Sequence, residues 1–530
     1  MNRIALLSTP WPLFNRPSIQ LGALKAFVAR EVPSAKVDAH HLYLTVAEAL
    51  GYETYRAISE STWLSEACYA ALLYPEREEG IRRFRQRQSA GLARKLDFPD
   101  VRVALKGVTD RILGQIEWNA YSLVGLSLCL GQLTSAVYFA REIKRRASAL
   151  KIVVGGSACS GEMGRSLLRA FPEIDFAVSG EGERPLVHLV KRILHDADLQ
   201  GPDPIPGLID RYQDPAGREG DFDQVSDLDQ LPVPDYTDYF GQLKTMDAER
   251  RFFPTLPVEM SRGCWWRKTG TLESQKGCAF CNLNIQWNGY RAKSQERMVG
   301  ELEILAEKHE ILSLSFMDNL LPRKDLEGLF RRIARLGKDL RLFAEIRAAT
   351  PFAELLAMAE AGMEEVQVGI EALSSRLLKK LNKGTTALDN LEMMKNCEAP
   401  NLPDLAANLI LNFPGSDRID VDETLKNLEF ALPFRPLKAT PFWLGYGSPV
   451  WTHSKSFGLK KVFNHPHYAR LFPPEVLDRL VLMIQGYHGG LRRQQRLWRP
   501  VRQALDGWKK SYLRLHESPG SRPILSYQEG

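Results

Sequence analysis

The sequence predicts an α/β chain with two successive αβ regions and a small α-rich region at its end. In both αβ regions, short apolar runs alternate with segments of helical periodicity, as parallel βαβ units require. A stretch rich in Pro, Asp and Gly at 201–245 separates them and has the composition of a linker. With 530 residues, the chain is long enough for three domains with their own cores.

Residues 1–200 are expected to form a doubly wound, Rossmann-like sheet. Residues 43–113 interrupt the alternation with a polar, helical stretch, which we interpret as an insertion or a cap on the sheet. Three aromatic residues within it, Trp63, Tyr69 and Tyr74, are expected to provide packing contacts. The strands are predicted from the apolar runs Ile4–Leu7, Leu123–Leu126, Ile152–Val154 and Phe176–Val178, and two helices from the periodicity of Leu133–Ala147 and Pro185–Leu194.

Residues 246–446 repeat the alternation without a glycine-rich dinucleotide fingerprint, so they predict a full or partial (β/α) barrel of the TIM type. In such barrels the functional side chains lie at the carboxyl ends of the strands. The strands are predicted at Ser313–Met317, Arg341–Glu345, Glu365–Gly369 and Asn408–Leu411, with helices at Leu326–Leu336 and Pro351–Ala361.

The composition is that of an ordinary globular protein, with 44% hydrophobic and 25% charged residues. A net charge of +6 is small for this length and does not by itself predict binding to nucleic acid. We find no apolar run of about 18 residues and no signal-peptide pattern, so neither a membrane span nor export is expected. Seven scattered cysteines favour a reducing compartment and a cytoplasmic location.

Three cysteines, Cys264, Cys278 and Cys281, follow the first strand of the barrel region. Cys278 and Cys281 are two residues apart and can grip one metal centre, and Cys264 adds a third thiolate. A closed structural zinc site needs four ligands, whereas a four-iron cluster held by three thiolates keeps one iron open for a substrate. Two alternatives stay open at this point: a zinc site completed by Cys397 or His309, and three unrelated thiols.

The cysteine loop, with Trp265 and Trp266 after its first cysteine, resembles the radical SAM superfamily over residues 255–445. The commonest form of that family has a first gap of three residues, whereas the gap here is 13 residues. A cobalamin-dependent branch that matures ribosomal peptides has Cys-Trp-Trp followed by a longer gap, and this chain resembles it with a further insertion at Lys268–Gln275. The resemblance implies that this chain is related to C-methyltransferases that act in peptide maturation. The alternative is a degenerate site with Cys264 displaced.

Several later motifs follow the order of the same family. They are Gly289–Ser294, Phe316–Asn319, Phe343–Arg347, Gly369–Glu371, Lys383–Thr385 and Asn412–Gly415. The resemblance implies that Glu345 accepts hydrogen bonds from the ribose hydroxyls of S-adenosylmethionine (SAM) and that Arg347 pairs with its carboxylate. The full set of SAM-binding residues that it implies is Phe280, Arg291, Asp318, Asn319, Glu345, Arg347 and Glu371.

The first domain carries glycines after its strands, at Val154–Gly164 and Val178–Glu183. Such glycines allow close approach of a ligand to the edge of a sheet. The domain resembles the cobalamin-binding domain of the same branch, although Asp38, His40 and the adjacent His41 lack the glycine of the cobalt-ligand motif, so we expect both imidazoles to be structural. A vestigial domain without cofactor is the alternative. The cofactor-binding residues that the resemblance implies are Thr9, Pro10, Ser127, Gln132, Gly155, Gly156, Ser157, Gly180, Glu181 and Gly182.

Residues 447–530 are expected to form an accessory C-terminal domain. The aromatic stretch Thr440–Trp451 is expected either to line a substrate channel or to be core. A group of arginines is expected either to be a solvated helix face or to bind an acidic leader peptide or another anionic substrate. These arginines are Arg492, Arg493, Arg496, Arg499 and Arg502.

The resemblance implies a cobalamin-dependent radical SAM C-methyltransferase that methylates an unactivated carbon of a ribosomally made peptide. Its cofactors would be a 4Fe-4S cluster, SAM and cobalamin, acting through a 5′-deoxyadenosyl radical and methylcobalamin. A reductant such as flavodoxin or ferredoxin is an expected partner, and nucleic acid and membrane are not. The alternatives are another radical reaction, such as cyclisation or epimerisation, and a non-catalytic cobalamin- or metal-binding regulator.

Overall fold

The computed structural model describes residues 2–89, 99–195, 204–211, 223–266 and 277–517. The predicted insertion Lys268–Gln275 lies outside these ranges. Within them, no helix combines the length and the apolar character that a membrane span requires. All seven cysteines are free.

The first domain is the predicted doubly wound sheet, with strand order β2-β1-β3-β4-β5-β6. Its first five strands run parallel, and Ser8 lies beside His41 on one side and Ser127 on the other. The strands are β1 (Arg3–Ser8), β2 (Lys36–His41), β3 (Leu123–Ser127), β4 (Lys151–Gly155), β5 (Phe176–Val178) and β6 (Leu208–Asp210); the helices are α1 (Ile19–Glu31), α2 (Leu42–Leu50), α3 (Tyr52–Ser59), α4 (Thr62–Leu73), α5 (Glu78–Gln88), α6 (Pro99–Gln115), α7 (Leu133–Arg146), α8 (Glu162–Ala170) and α9 (Glu183–Leu194).

The helices α2–α6 fill the expected insertion, but they are a buried part of the domain and not only a polar cap. Helix α4 is buried along nearly its whole length, including Trp63 and Tyr69. Glu66 on this helix is also buried, and its carboxylate accepts hydrogen bonds from the first backbone amides of α7, at Leu133 and Thr134. Because a helix begins with unpaired amides, this carboxylate caps α7 and joins the insertion to the sheet.

The stretch expected to be a linker contributes structure to its neighbours. Strand β6 pairs antiparallel with β5 and so extends the first sheet. Helix α10 (Thr237–Thr245) then leads into the barrel. Tyr236, just before α10, is fully buried, donates a hydrogen bond to the carbonyl of Pro257 at 2.7 Å, and lies against Gly22 of α1. This segment therefore packs between the two domains.

The second domain is a partial barrel of six parallel strands, in the order β7-β10-β11-β12-β13-β14. A short antiparallel hairpin, β8 with β9, follows β7 and frames the cysteine loop. The strands are β7 (Leu256–Val258), β8 (Ser261–Arg262), β9 (Arg291–Ala292), β10 (Ser313–Phe316), β11 (Arg341–Ile346), β12 (Met363–Glu371), β13 (Asp404–Leu411) and β14 (Lys438–Pro441); the helices are α11 (Gln295–His309), α12 (Leu326–Ala334), α13 (Phe352–Glu360), α14 (Ser375–Lys380), α15 (Ala387–Cys397) and α16 (Arg418–Ala431).

The C-terminal region is helical, as expected, but it also contains a three-stranded antiparallel sheet in the order β15-β17-β16. Residues from this region enter the core of the first domain, for example Phe472, and residues such as Trp498 enter the core of the barrel. The region therefore bridges the two domains. Its elements are β15 (Leu444–Gly445), β16 (Lys461–Asn464), β17 (Ile484–His488), α17 (Pro449–Thr452), α18 (Tyr468–Leu471), α19 (Pro474–Leu477), α20 (Leu491–Leu497) and α21 (Arg499–Leu515).

Candidate functional site

The described ends of the cysteine loop are fixed by backbone contacts. Gly263 has φ +83° and passes so close to the chain that a Cβ there would lie 2.2 Å from the carbonyl oxygen of Gly289, so only glycine fits. At the other end, Asn382 donates a hydrogen bond to the carbonyl of Gly277 at 2.7 Å, and the amide of Ala279 donates to Leu381 at 2.9 Å. These contacts bring the sequence before Cys264 and the sequence around Cys278 to the same end of the barrel.

The three thiols of Cys264, Cys278 and Cys281 share one environment. Burial, with the neighbouring Cys278 and Cys264 adding to it, raises the pKa of Cys281 to about 12. Burial also raises the pKa of Cys264, to which Cys278 adds. The guanidinium of Arg347 lies near Cys278 and Cys264; burial lowers its pKa, while these two thiols favour its charged form. Three thiolates gathered beside a cation are the donor set that an iron–sulfur cluster takes.

The two residues considered as a fourth zinc ligand lie in other surroundings. The sulfur of Cys397 packs 3.8 Å from that of Met393 within the barrel core. His309 stacks on Phe240, with 4.3 Å between ring centroids. Among the described residues, no group of three or more His, Cys, Asp or Glu side chains is placed to hold a single metal ion.

Two tryptophans line the loop beside the thiols. Trp266 donates a hydrogen bond to the carbonyl of Asn382 at 2.7 Å and stacks on the guanidinium of Arg347, 4.2 Å from Cζ to the ring centroid. Trp265 donates to the carbonyl of Leu321 at 3.0 Å. A Cβ on Gly384 would lie 2.1 Å from the Trp266 ring. The indoles therefore anchor the described start of the cysteine loop to the ends of the barrel strands.

Four charged side chains meet at the carboxyl ends of β11 and β12. Lys383, fully buried, lies 3.2 Å from Glu371 and 5.8 Å from the ring of Phe280. Arg347 donates a hydrogen bond to the carbonyl of Lys383. Burial, and then repulsion from Glu371, raises the pKa of Glu345 to about 7. Two cations and two carboxylates suit a zwitterionic ligand such as an amino acid.

Lys383 is missing from the site residues that the sequence predicts, although its motif Lys383–Thr385 is among the matching stretches. Its proximity to Glu371 follows from the turn that ends α14, which the sequence does not reveal. Three non-glycine residues near this point, Glu371, Asn382 and Asn412, have φ between +51° and +63°. Such conformations cost energy and concentrate at functional sites.

Asp318 and Arg291, both predicted to bind SAM, have other partners in the structure. The carboxylate of Asp318 accepts hydrogen bonds from the Ser261 hydroxyl at 2.5 Å and the Met260 amide at 3.1 Å, and burial raises its pKa to about 7. Arg291 pairs with Glu181 of the first domain at 2.6 Å. Both side chains thus hold the cysteine hairpin in place.

A cavity of about 360 Å³ lies between the carboxyl edge of the first sheet and the barrel, within the range of small-molecule sites. Seven of the ten predicted cofactor-binding residues line it, as does Asn319 from the predicted SAM set. Gly156 has φ +120°, and a Cβ there would lie 2.6 Å from the carbonyl of Leu128, so this wall requires glycine. The seven residues are Ser127, Gly155, Gly156, Ser157, Gly180, Glu181 and Gly182.

The other three predicted residues, Thr9, Pro10 and Gln132, support this edge without lining the cavity. Gln132 donates a hydrogen bond to the carbonyl of Thr9 at 2.7 Å, and the Ser135 hydroxyl donates to that of Pro10 at 2.5 Å. The expectation that His40 and His41 are structural stays a prediction. His40 lies 3.1 Å from the hydroxyl of Tyr121, and burial lowers the pKa of His41 to about 3.

A buried cluster of charges, which the sequence analysis missed, joins the cavity to the cysteine loop. Arg262, two residues before Cys264, pairs with Glu183 at 2.6 Å, Glu259 at 2.9 Å and Glu181 at 3.2 Å. Burial alone would raise the pKa of Glu183, but the charge of Arg262 lowers it below its usual range. The turn that forms one wall of the cavity is thereby tied to the hairpin that presents the first thiol.

The fold and the site together define a protein in which a barrel that carries three thiols faces a Rossmann-like domain with a lined cavity at its edge. Residues 258–428 match the radical SAM superfamily, and the chain therefore contains a radical SAM domain. An uncharacterized methyltransferase of Pyrococcus horikoshii is 27% identical over 398 residues, which cover 72% of this chain and 78% of that protein.

Two solved structures share most of this fold. One is the radical SAM methyltransferase TsrM of Kitasatospora setae with cobalamin and a [4Fe-4S] cluster bound (TM-score 0.61, 16% identity, 96% of this chain and 91% of that chain). The other is the cobalamin-dependent radical SAM enzyme OxsB with aqua-cobalamin and SAM bound (TM-score 0.56, 17% identity, 86% of this chain but only 56% of that one). The resemblance to cobalamin-dependent radical SAM enzymes is confirmed, and the fold class is as predicted; the narrower likeness to peptide-maturing enzymes stays a prediction.

Proposed function

We propose that this chain is a cobalamin-dependent radical SAM C-methyltransferase that acts on a peptide in a reducing compartment. The observation that carries the proposal is the meeting of two sites. One buried ion cluster around Arg262 lines the cavity and lies two residues before Cys264, the first of the three thiols. The methyltransferase activity is drawn from the sequence relative and the solved neighbours, and the peptide substrate from the Cys-Trp-Trp loop.

When bound, the cluster and cobalamin would supply the electron that cleaves SAM and the carrier of the methyl group. Cys264, Cys278 and Cys281 would hold the cluster. Arg347 and Lys383 offer positive charge to a carboxylate, and Glu345 and Glu371 offer acceptors to an ammonium or to hydroxyl groups.

The remaining residues of the site would control its surroundings. Trp265 and Trp266 would hold the start of the cysteine loop against the barrel. The glycine edge at Gly155 and Gly156 would admit the corrin ligand. Glu181 would hold the wall of the cavity in shape, because its carboxylate is already bonded to Arg262, Arg291 and the amide of Val225. Orientation of two cofactors toward one substrate carbon is then the task of the domain interface.

The test is anaerobic reconstitution with iron, sulfide and cobalamin, followed by incubation with SAM, reductant and candidate peptides. About four irons and one cobalamin per chain, with a peptide product heavier by one methylene group, would support the proposal. Deoxyadenosine formed without a gain in mass would instead indicate cyclisation, epimerisation or another rearrangement. No cleavage of SAM at all would indicate a non-catalytic binding protein.

A further inference from the structure

The net positive charge of the chain comes from one short segment. Residues 491–516 contain eight lysines and arginines and a single carboxylate, Asp506, so they carry +7. Since the chain as a whole carries +6, everything outside this segment sums to −1. Within the described residues, none of the eight cations forms an ion pair. They are Arg492, Arg493, Arg496, Arg499, Arg502, Lys509, Lys510 and Arg514, hereafter the basic face.

The helices that carry the basic face are firmly attached to the barrel. Val501, Leu505 and Trp508, spaced by one helical turn each, are buried on the inner side of α21. Trp508 donates a hydrogen bond to the carbonyl of Phe434 at 3.0 Å. All eight cations lie on the exposed positions of α20 and α21. The charges are thus held in a fixed outward array instead of on a flexible tail.

The array begins at the functional end of the barrel. Ser416, in the loop that follows β13, accepts a hydrogen bond from the indole of Trp498 at 2.9 Å, and its carbonyl accepts one from Gln494 at 2.9 Å. Further along, Phe434 lies before the start of β14, at the opposite end of the strands. The basic face therefore runs from the carboxyl edge of the strands, where the site lies, down the outer side of the barrel.

We infer that the basic face binds an acidic segment of the peptide substrate and so delivers the remainder of that peptide to the site. The inference rests on the proposed function, which supplies the substrate class, a peptide. The acidic character of the bound segment is argued from charge complementarity with the basic face. The two helices together are roughly 36 Å long at 1.5 Å per residue. An extended peptide of about 11 residues spans that length, so a short acidic stretch suffices, and the chain beyond it reaches the barrel mouth.

The experiment measures binding separately from turnover. The probe is a fluorescein-labelled peptide of about 12 residues rich in Glu and Asp, titrated with the reconstituted protein and followed by fluorescence anisotropy. In the test variant, Arg492→Glu, Arg496→Glu and Arg499→Glu are combined. The control combines Arg87→Glu, Arg111→Glu and Lys379→Glu, which change the net charge equally at exposed positions on α5, α6 and α14.

We expect the test variant to bind the probe at least about tenfold more weakly and the control within about threefold of the original protein. Binding should also weaken steeply between about 0.05 and 0.5 M NaCl, because exposed charges are screened. Equal binding by test variant and original protein, with unchanged thermal unfolding, would overturn the inference. So would a single-stranded RNA of equal charge that binds this face more tightly than the peptide. If the reconstituted original protein binds the probe but transfers no methyl group to any candidate peptide, that result would count against the proposed function and not against binding by the basic face.

Discussion

At the scale of single residues, the site is defined by which charges are buried without full compensation. Lys383 and Glu371 form a largely buried pair, whereas Glu345, one strand away, forms no ion pair with any described residue and carries a raised pKa. Buried unpaired carboxylates are costly for a fold and are typical of functional positions. The charge of Glu345 therefore changes near neutral pH.

The first prediction concerns ligand identity among the cysteines. Cys278→Ala should remove most of the iron from reconstituted protein, because two thiolates cannot hold a four-iron cluster firmly, and deoxyadenosine formation should stop. Cys397→Ala is the matched control, since that thiol packs beside Met393 in the core. It should keep its iron while losing about 1 kcal/mol or more of stability. Iron content and absorption spectra provide the measurement; full iron in Cys278→Ala would contradict the cluster assignment.

The second prediction concerns pH. Burial and Glu371 raise the pKa of Glu345 from 4.5 to about 7. The folded state therefore holds a proton that the unfolded state releases, so the contribution of Glu345 to stability falls as pH rises from about 4.5 to 7. Glu345→Gln should raise the unfolding midpoint at about pH 8 relative to the original protein, measured by calorimetry.

The same ionisation governs SAM binding. If the Glu345 carboxylate accepts the ribose hydroxyls, affinity should rise up to about tenfold between pH 6 and 8, and Glu345→Gln should lose that rise. Asp318→Asn is the control, because Asp318 also has a pKa of about 7 but bonds to Ser261 and Met260. Any change in the protonation of SAM itself affects the original protein and both variants equally. A rise retained in Glu345→Gln would exclude this role.

At the scale of elements, the turn after α14 determines where the cysteine loop lies. Gly384, with φ +75°, leaves the space that the indole of Trp266 occupies. Trp266 in turn stacks on Arg347. A methyl group added at Gly384 would therefore affect the position of both the cysteine loop and the charged site.

The third prediction separates that packing from backbone strain. Gly384→Ala and Gly415→Ala both place a side chain at positive φ, +75° and +81°, and each should lose about 1 kcal/mol from strain. Only at Gly384 does a Cβ meet Trp266, at 2.1 Å, whereas the space around Gly415 is open. We expect Gly384→Ala alone to lose iron on gel filtration and to alter the near-ultraviolet circular dichroism. Equal iron retention in both variants would mean that Trp266 does not position the loop.

Elements of this chain were predictable where their signal is local. The parallel strands such as β3 and β4 are buried on both faces and therefore appear as apolar runs, and α7 and α13 show clear periodicity. The sheet of β15, β16 and β17 was missed because its strands are short and pair across long stretches of sequence. The prediction for helix α4 was only a polar stretch, because the residues that bury this helix lie on other elements.

The candidate site shows the same division. The thiolates and seven cavity residues follow from motifs within a few positions of each other. The pairing of Arg291 with Glu181 joins residues 110 positions apart, and no pattern in a single sequence indicates it. Arg291 was predicted to bind SAM and Glu181 to bind cobalamin, and the structure pairs the two across the interface between the domains.

At the scale of the whole molecule, the two domains are fastened from both sides of the cavity. On one side, the segment before the barrel inserts Tyr236 between Gly22 and Pro257. On the other, the C-terminal region spans both cores. Between these attachments lies the charge cluster of Arg262, in direct contact with the cavity. This cluster is therefore the element of the interface that sets the distance between the cysteine hairpin and the cavity wall.

The fourth prediction tests that assignment. Arg262→Gln leaves the carboxylates of Glu181, Glu183 and Glu259 facing one another without their shared cation, and breaking a buried pair costs about 3–5 kcal/mol. Because the loss falls on the interface, calorimetry should show one unfolding transition separating into two. The control is Lys293→Met, which breaks the buried pair with Glu301 inside the barrel domain (2.8 Å) and should lower the midpoint without separation. Arg262→Lys keeps the charge but loses the several N–H donors of the guanidinium. Its unfolding transitions should therefore separate less than those of Arg262→Gln but more than those of the Lys293→Met control. A single transition in Arg262→Gln, shifted no further than in the control, would show that the domains are held together elsewhere.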